Sequence, residues 1–148
     1  MNAKDIMTAN PISLTEDKLV KDAADLMTEK SISALPITNA EGKLVGIITE
    51  SDFVGKAVDI PHALVSIKQL FKENFHHADV ELICAKVKEK PLKNVMSTKL
   101  YTVEEDHSLN QIVNLMIDKG LKRIPVLNNG ELSGIITRKD IVKAFASS

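Results

Sequence analysis

This sequence predicts a mixed α/β (α+β) fold in which two tandem β-α-β-β-α repeats pack about a pseudo-twofold axis, with a helical insertion between them. Three observations carry that expectation. Met7-Thr8 aligns with Met96-Ser97, Leu26-Met27 with Leu115-Met116, and Leu35-Pro36-Ile37 with Ile124-Pro125-Val126, all at one offset, which marks a duplication. Each copy then switches its apolar period in the same order, from helical spacing to β-rich runs and back. Residues 55–93 have no counterpart after the second copy, so the chain divides into repeat one (1–54), insertion (55–93) and repeat two (94–148).

Taken in order, each repeat opens with a short extended piece, Ile12 to Leu14 or Tyr101 to Val103, followed by an acidic helix start at Glu16-Asp17 or Glu105-Asp106. Carboxylates suit the positive end of a helix dipole. The helix buries Val20, Ala23, Ala24 and Met27 in the first copy and Leu109, Ile112, Val113 and Met116 in the second. Two strands come next, Ala34 to Thr38 and Leu44 to Thr49 in copy one, joined through Asn39-Ala40-Glu41-Gly42; copy two turns on Asn128-Asn129-Gly130. The one-residue difference between the copies falls in this surface turn, where it costs least. A last helix begins at the Thr-x-x-Asp step and is expected to carry Phe53-Val54 or Ile141-Val142 inward. One such unit cannot cover both faces of its own sheet, which is why the copies are expected to pair sheet against sheet.

Within the insertion, Leu64, Ile67, Phe71 and Phe75 recur at helical spacing after Pro61, and Val80, Ile83 and Val87 repeat the pattern after Asp79 until Pro91. Two amphipathic helices are expected, their apolar faces covered by the repeats, a second subunit or an effector protein. His62, His76 and His77 lie here without a spaced third ligand, so no metal site is assigned. Cys84, the single cysteine, is read as a small hydrophobe.

Composition excludes several classes. With 44% hydrophobic and 26% charged residues the chain is an ordinary globular one, and its net charge of −1 gives no overall field for nucleic acid or an anionic membrane. One tyrosine and no tryptophan offer few stacking platforms for bases. No apolar run approaches the ~20 residues that span a bilayer, and the start MNAKDIMTAN lacks a secretory core, leaving the cytoplasm as the expected compartment. No paired nucleophile and base, metal cluster or Gly-rich phosphate loop is present, so no enzyme activity and no obligatory cofactor are expected.

The chemistry concentrates in Gly46-Ile47-Ile48-Thr49-Glu50-Ser51-Asp52 and its echo Gly134-Ile135-Ile136-Thr137-Arg138-Lys139-Asp140. A strand ending at Thr before a helix with Asp three residues on can be a reciprocal cap. The same hydroxyl and carboxylate can grip a ribose diol while free N–H groups favour phosphate. Both readings stand on these residues alone.

The order MT, LMxxKxIxxLPI and GIITxxD, given twice, resembles the cystathionine β-synthase (CBS) domain, and the pair resembles a Bateman module, over residues 5–54 and 94–145. The resemblance implies clefts between the repeats for AMP, ADP, ATP or another adenosyl ligand, with Asp52 and Thr49, and Asp140 and Thr137, on the ribose and phosphate. Adenine would lie near Ile12 and Ser13, and near Tyr101 and Thr102. The two arginines, Arg123 and Arg138, both fall in copy two beside Lys122 and Lys139, whereas copy one has Ser33, Ala34, Glu50 and Ser51. By resemblance to the regulatory subunit of AMP-activated kinase, Lys122, Arg123 and Lys139 would hold the phosphates of a nucleotide whose ribose sits on Asp52. The function so implied is that of a standalone regulatory module that signals by a conformational change to an unknown downstream protein. The competing reading is a structural dimerisation module without ligand. Helix faces left uncovered by two repeats, and the insertion's apolar stripes, lead to a homodimer in either case.

Overall fold

The computed structural model describes residues 1–54, 85 and 87–148. The expected helices of the insertion, including Pro61, Leu64, Ile67, Phe71, Phe75, Asp79, Val80 and Ile83, lie outside the described residues, as do His62, His76, His77 and Cys84. Val87 is described and buried.

In chain order the elements are α1 (Ala3–Ile6), β1 (Thr8–Ala9), β2 (Leu14–Thr15), α2 (Val20–Lys30), β3 (Ala34–Thr38), β4 (Leu44–Thr49) and α3 (Glu50–Val54). After a 3-10 turn at Leu92–Asn94 come β5 (Val103–Glu104), α4 (Leu109–Lys119), β6 (Arg123–Asn128), β7 (Glu131–Thr137) and α5 (Arg138–Ala146). The strands form two sheets, one in the order β1-β7-β6-β5 and one in the order β2-β3-β4, so the fold is mixed α/β as expected.

These elements gather into two compact units that do not follow the chain. One unit, called here the Asp140 unit, takes Met1–Ile12 and Gly42–Leu44 together with Leu100–Ser148. The other, the Asp52 unit, takes Ser13–Glu41 with the described residues of Val45–Lys99. Each repeat thus receives the Met-Thr or Met-Ser lead-in of the other.

Backbone hydrogen bonds dictate this exchange. In the Asp140 unit β1 pairs antiparallel with β7, Thr8 opposite Ile135 and Ala9 opposite Gly134. The Ala3 and Lys4 N–H groups donate to the carbonyls of His107 and Glu105 at 2.8 and 3.0 Å. In the Asp52 unit the corresponding bridge joins Ile47 to Ser97, and the Leu92 N–H reaches the Lys18 carbonyl at 2.7 Å. The α2 N-cap is Leu19, which has no side-chain acceptor to offer. Its exposed N–H groups are answered instead by the incoming chain, Val20 N–H to Lys90 and Lys21 N–H to Lys88 at 2.9 and 3.1 Å. At α4 the sequence supplies its own cap, Ser108 accepting from Gln111 N–H while Gln111 reaches back.

Each core follows from the pairing. Val20, Ala23 and Met27 of α2 pack on Leu35, Ile37 and Ile48, and Leu92, Val95 and Met96 close the cluster. Ile112 and Met116 of α4 pack on Val103, Ile124, Val126 and Ile136, with Ala3. A fully buried side chain of this size stabilises by roughly 1.5–3 kcal/mol. The β6–β7 hairpin turns through Asn129 and Gly130, at φ of 52° and 83°. Two successive positive φ angles are what a two-residue hairpin loop demands, and Asn-Gly meets that demand.

Three expectations are corrected. The short extended pieces form strands further along than Ile12 to Leu14 and Tyr101 to Val103, because the parallel ladders engage at Leu14 with Ile37 and at Val103 with Val126. Glu16-Asp17 and Glu105-Asp106 precede the helices rather than starting them. They sit in turns closed by Lys18 N–H to Thr15 and His107 N–H to Glu104 at 3.1 Å each. The Thr15 hydroxyl donates to Asp17 at 2.5 Å and holds that carboxyl below the usual carboxylate range. The last helices also do not carry both apolar residues inward. In α5 the buried positions are Asp140 and Ala144, with Ile141 against the core, so Val142 is turned outward at 67% exposure; Phe53 of α3 is 40% exposed. The Val54 side chain lies outside the described set.

Gly46 and Gly134 show how tightly each lead-in is seated. A Cβ on Gly134 would stand 2.3 Å from Met7 Sδ and 2.8 Å from its Cγ, and a Cβ on Gly46 would meet Met96 Sδ at 2.3 Å and the Ser97 carbonyl at 3.1 Å. Gly134→Ala is therefore expected to destabilise by about 1–3 kcal/mol in urea unfolding. In the double variant Met7→Ala/Gly134→Ala the cost of the glycine change is expected to shrink. Strict additivity of the two would count against the packing.

Candidate functional site

Thr137 is both the last residue of β7 and the N-cap of α5, its backbone still extended (φ −112°, ψ 168°). Thr137 N–H donates to Asp140 Oδ2 at 2.8 Å. The Thr137 hydroxyl donates to the same oxygen at 3.0 Å and accepts the Asp140 N–H at 3.3 Å. The capping reading is met in full here. Asp140 is only 9% exposed, and its other oxygen, Oδ1, lies 3.5 Å from the Thr8 hydroxyl on β1.

In the Asp52 unit the lock is looser. Asp52 Oδ2 accepts Thr49 N–H at 2.8 Å, but its contact with the Thr49 hydroxyl is 3.4 Å. That hydroxyl lies 2.8 Å from the Ser51 hydroxyl. Ser51 occupies the place that Lys139 holds in the other copy, and a lysine offers no such neighbour. The unequal residues thus give the two motifs different local bonding. Asp52 is buried, at 7% exposure.

The structure brings the basic residues of copy two to one corner. Arg123 faces Thr137 across the β6–β7 ladder. The Arg138 N–H donates to the Lys122 carbonyl at 3.2 Å, so the chain at Lys122 and Arg123 runs beside the first turn of α5, which carries Arg138 and Lys139. Lys122, Arg138 and Lys139 are exposed and Arg123 is half-buried. The equivalent step in the Asp52 unit is Glu50 N–H to the Ser33 carbonyl at 3.0 Å.

Tyr101 and Thr102 precede β5, and the parallel register leads back from Val103 toward the Arg123 end of β6, the end that holds Thr137. The Lys119 ammonium lies 5.6 Å from the Tyr101 ring centroid. Ile12 falls in the Asp140 unit and Ser13 in the Asp52 unit, both outside the strands.

Each unit also carries an open groove on its helical face. One, about 540 Å³, is lined by Ala24, Met27, Thr28, Ser31, Ile32, Glu50 and Phe53. The other, about 390 Å³, lies along Met116, Ile117, Gly120, Leu121, Arg138 and Val142. The residues that differ between the motifs, Glu50 and Arg138, occupy matching places in them. Among the described residues no group of three or more His, Cys, Asp or Glu side chains is placed to hold a metal ion. No helix among them is long and apolar enough to cross a membrane.

Sequence reasoning missed Thr8 and Ser51. The signal for Thr8 was present in the repeated Met-Thr and Met-Ser pair, but the pair served only to set the register of the duplication.

Two repeats, each ending a strand on a Thr-Asp corner, define a duplicated α/β module. Family comparison names the class: the CBS domain model matches residues 3–59 and 92–147, and the chain belongs to the CBS domain family. It is 33% identical over 154 residues to the uncharacterized protein MJ1426 of Methanocaldococcus jannaschii, covering 98% of this chain and 91% of that protein. Among solved structures, the CBS domain of a CBS domain-containing membrane protein from Sphaerobacter thermophilus superposes with a TM-score of 0.72 at 30% identity, over 97% of this chain and 86% of that one. The CBS domain pair of protein MJ0100, solved with 5′-methylthioadenosine and S-adenosyl-L-methionine, has a TM-score of 0.69 over 99% and 97% of the two chains; at 24% identity it shares the fold.

Because Thr137 caps α5 and Thr49 leans on Ser51, the two threonines are expected to differ in their worth. Thr137→Val should cost about 1 kcal/mol or somewhat more in thermal unfolding, the range of a lost N-cap, and Thr49→Val measurably less. Equal losses would mean that the Ser51 contact changes nothing.

Proposed function

We propose that the chain is a ligand-sensing module. It binds an adenosyl compound (AMP, ADP, ATP or a relative) with the ribose on Asp140 and Asp52, and reports occupancy to a protein partner by a change of shape. The observation that carries this reading is the state of the motif carboxylates. Each is almost fully buried and ties one oxygen to its own threonine backbone, so it is oriented before any ligand arrives. A cap alone has no need of the four basic residues gathered at the Thr137 corner, whereas a phosphate chain does. The adenosyl compounds bound by the MJ0100 pair, which shares this fold, support the class of ligand. Ile117, Val142 and Phe145 stand 71%, 67% and 82% exposed on the helices of the Asp140 unit, and we take the homodimer to cover them.

Calorimetric titration with adenosine, AMP and ATP tests the ligand reading. Asp140→Ala and Asp52→Ala are each expected to remove binding at their own site. Lys122→Ala/Arg123→Ala should weaken ATP by a factor on the order of 100 while leaving adenosine nearly unchanged, since each charged contact contributes about 1.5–3 kcal/mol. Comparing the ATP losses in the two Asp variants identifies the carboxylate whose ligand Lys122 and Arg123 share. Ligand at 100 times Kd should add about 2.7 kcal/mol to stability. Affinities unmoved by either Asp change would leave the structural module as the function.

Sedimentation at tens of micromolar should give the mass of two chains. A monomer at that concentration would refute the dimer.

A further inference from the structure

The Asp140 carboxylate has a third partner that the repeated motif does not contain. Its Oδ2 is fixed by the backbone and hydroxyl of Thr137. Its Oδ1 lies 3.5 Å from the hydroxyl of Thr8, a residue 132 positions away that reaches the site on β1. Thr8 is held there by its own ladder position opposite Ile135 and by Met7, whose sulfur packs against Gly134. An α1 capping box, Asn2 with Asp5, anchors the start of the same segment.

We propose that Thr8 is a positioning residue for ligand binding at Asp140: its hydroxyl holds Oδ1 so that the plane of the carboxylate is set to receive a ribose hydroxyl. The inference rests on the reading that a ribose sits on Asp140. Two bonds to Oδ2 hold the carboxylate through one oxygen, and a donor on Oδ1 holds it through the other, so that turning about Cβ–Cγ would break contacts on both sides. A carboxylate oxygen accepts more than one hydrogen bond, so a ribose hydroxyl can join Thr8 there without displacing it. At 3.5 Å the contact is longer than an ordinary O–H···O hydrogen bond, and the pair is expected to tighten as the ligand settles. Ser97 takes the equivalent place in the Asp52 unit, on a single bridge to Ile47 rather than a two-residue strand. The methyl group that makes Thr8 stiffer about χ1 is absent there.

The test is calorimetric titration of wild type, Thr8→Val, Thr8→Ser and Asp140→Ala with adenosine, 2′-deoxyadenosine and 3′-deoxyadenosine, alongside urea unfolding of each. Thr8→Val preserves the shape and the ladder and removes only the donor. It is expected to weaken adenosine roughly fivefold while changing at least one deoxy analogue by less than about twofold, and Thr8→Ser should restore wild-type affinity. Adenosine affinity unchanged in Thr8→Val, or equal losses for all three nucleosides, would overturn the inference, the latter by showing that only the seating of β1 was disturbed. Binding absent from wild type, or present and indifferent to Asp140→Ala, would instead defeat the ribose reading and take this inference with it.

Discussion

The strand that carries Gly-Ile-Ile-Thr needs a neighbour on its outer edge, and in each unit that neighbour is the lead-in of the other repeat. Much else follows from this constraint. The lead-in covers the strand edge, donates to the turns before the helices and, in the Asp52 unit, answers N–H groups at the start of α2 that Leu19 cannot. Glycine at positions 46 and 134 is what lets a methionine side chain of the lead-in lie against the strand, its sulfur filling the space that a Cβ would need. Without that fit, Thr8 would not stand beside Asp140.

The Thr-Asp corner is where helix capping and the proposed ligand recognition use the same atoms. Asp140 closes the cap of α5 with one oxygen and turns the other toward a hydroxyl from a different strand. Asp52 makes the same backbone bond, yet its threonine partner is shared with Ser51. The two copies of the corner thus share the acid and differ in its surroundings, with cations in one copy and small or acidic side chains in the other.

Much of the fold could be read in the residues because the repeat imposes two independent statements of each element. β3 and β4 run as the β-rich pattern implies, and the helical stripes of α2 and α4 supply the cores. What escaped were features decided by partners far along the chain. The exchange of lead-ins cannot be read from Met7-Thr8 itself, since a two-residue strand has almost no periodicity and its place is set by the edge it meets. Phe53 and Val142 were misplaced because an apolar residue beside a buried Asp must share a short helix with it, and the acid took the inward position. The Thr-Asp pairing was legible because a cap is local. The contact of Thr8 with Asp140 was not, because no local rule links residues 132 apart.

The exchange also sets the order in which the molecule can be completed. Residues 1–12 leave the ribosome long before β7 (Glu131–Thr137), the edge they must pair with. Until then Met7 and Ile6 have no strand or core to join, and the loop to be closed spans most of the chain. Contacts of such sequence separation slow folding, and an unpaired strand edge exposed in the meantime invites association with another copy. A segment made well ahead of its partner strand is therefore placed late, and the Asp140 corner matures only when it arrives.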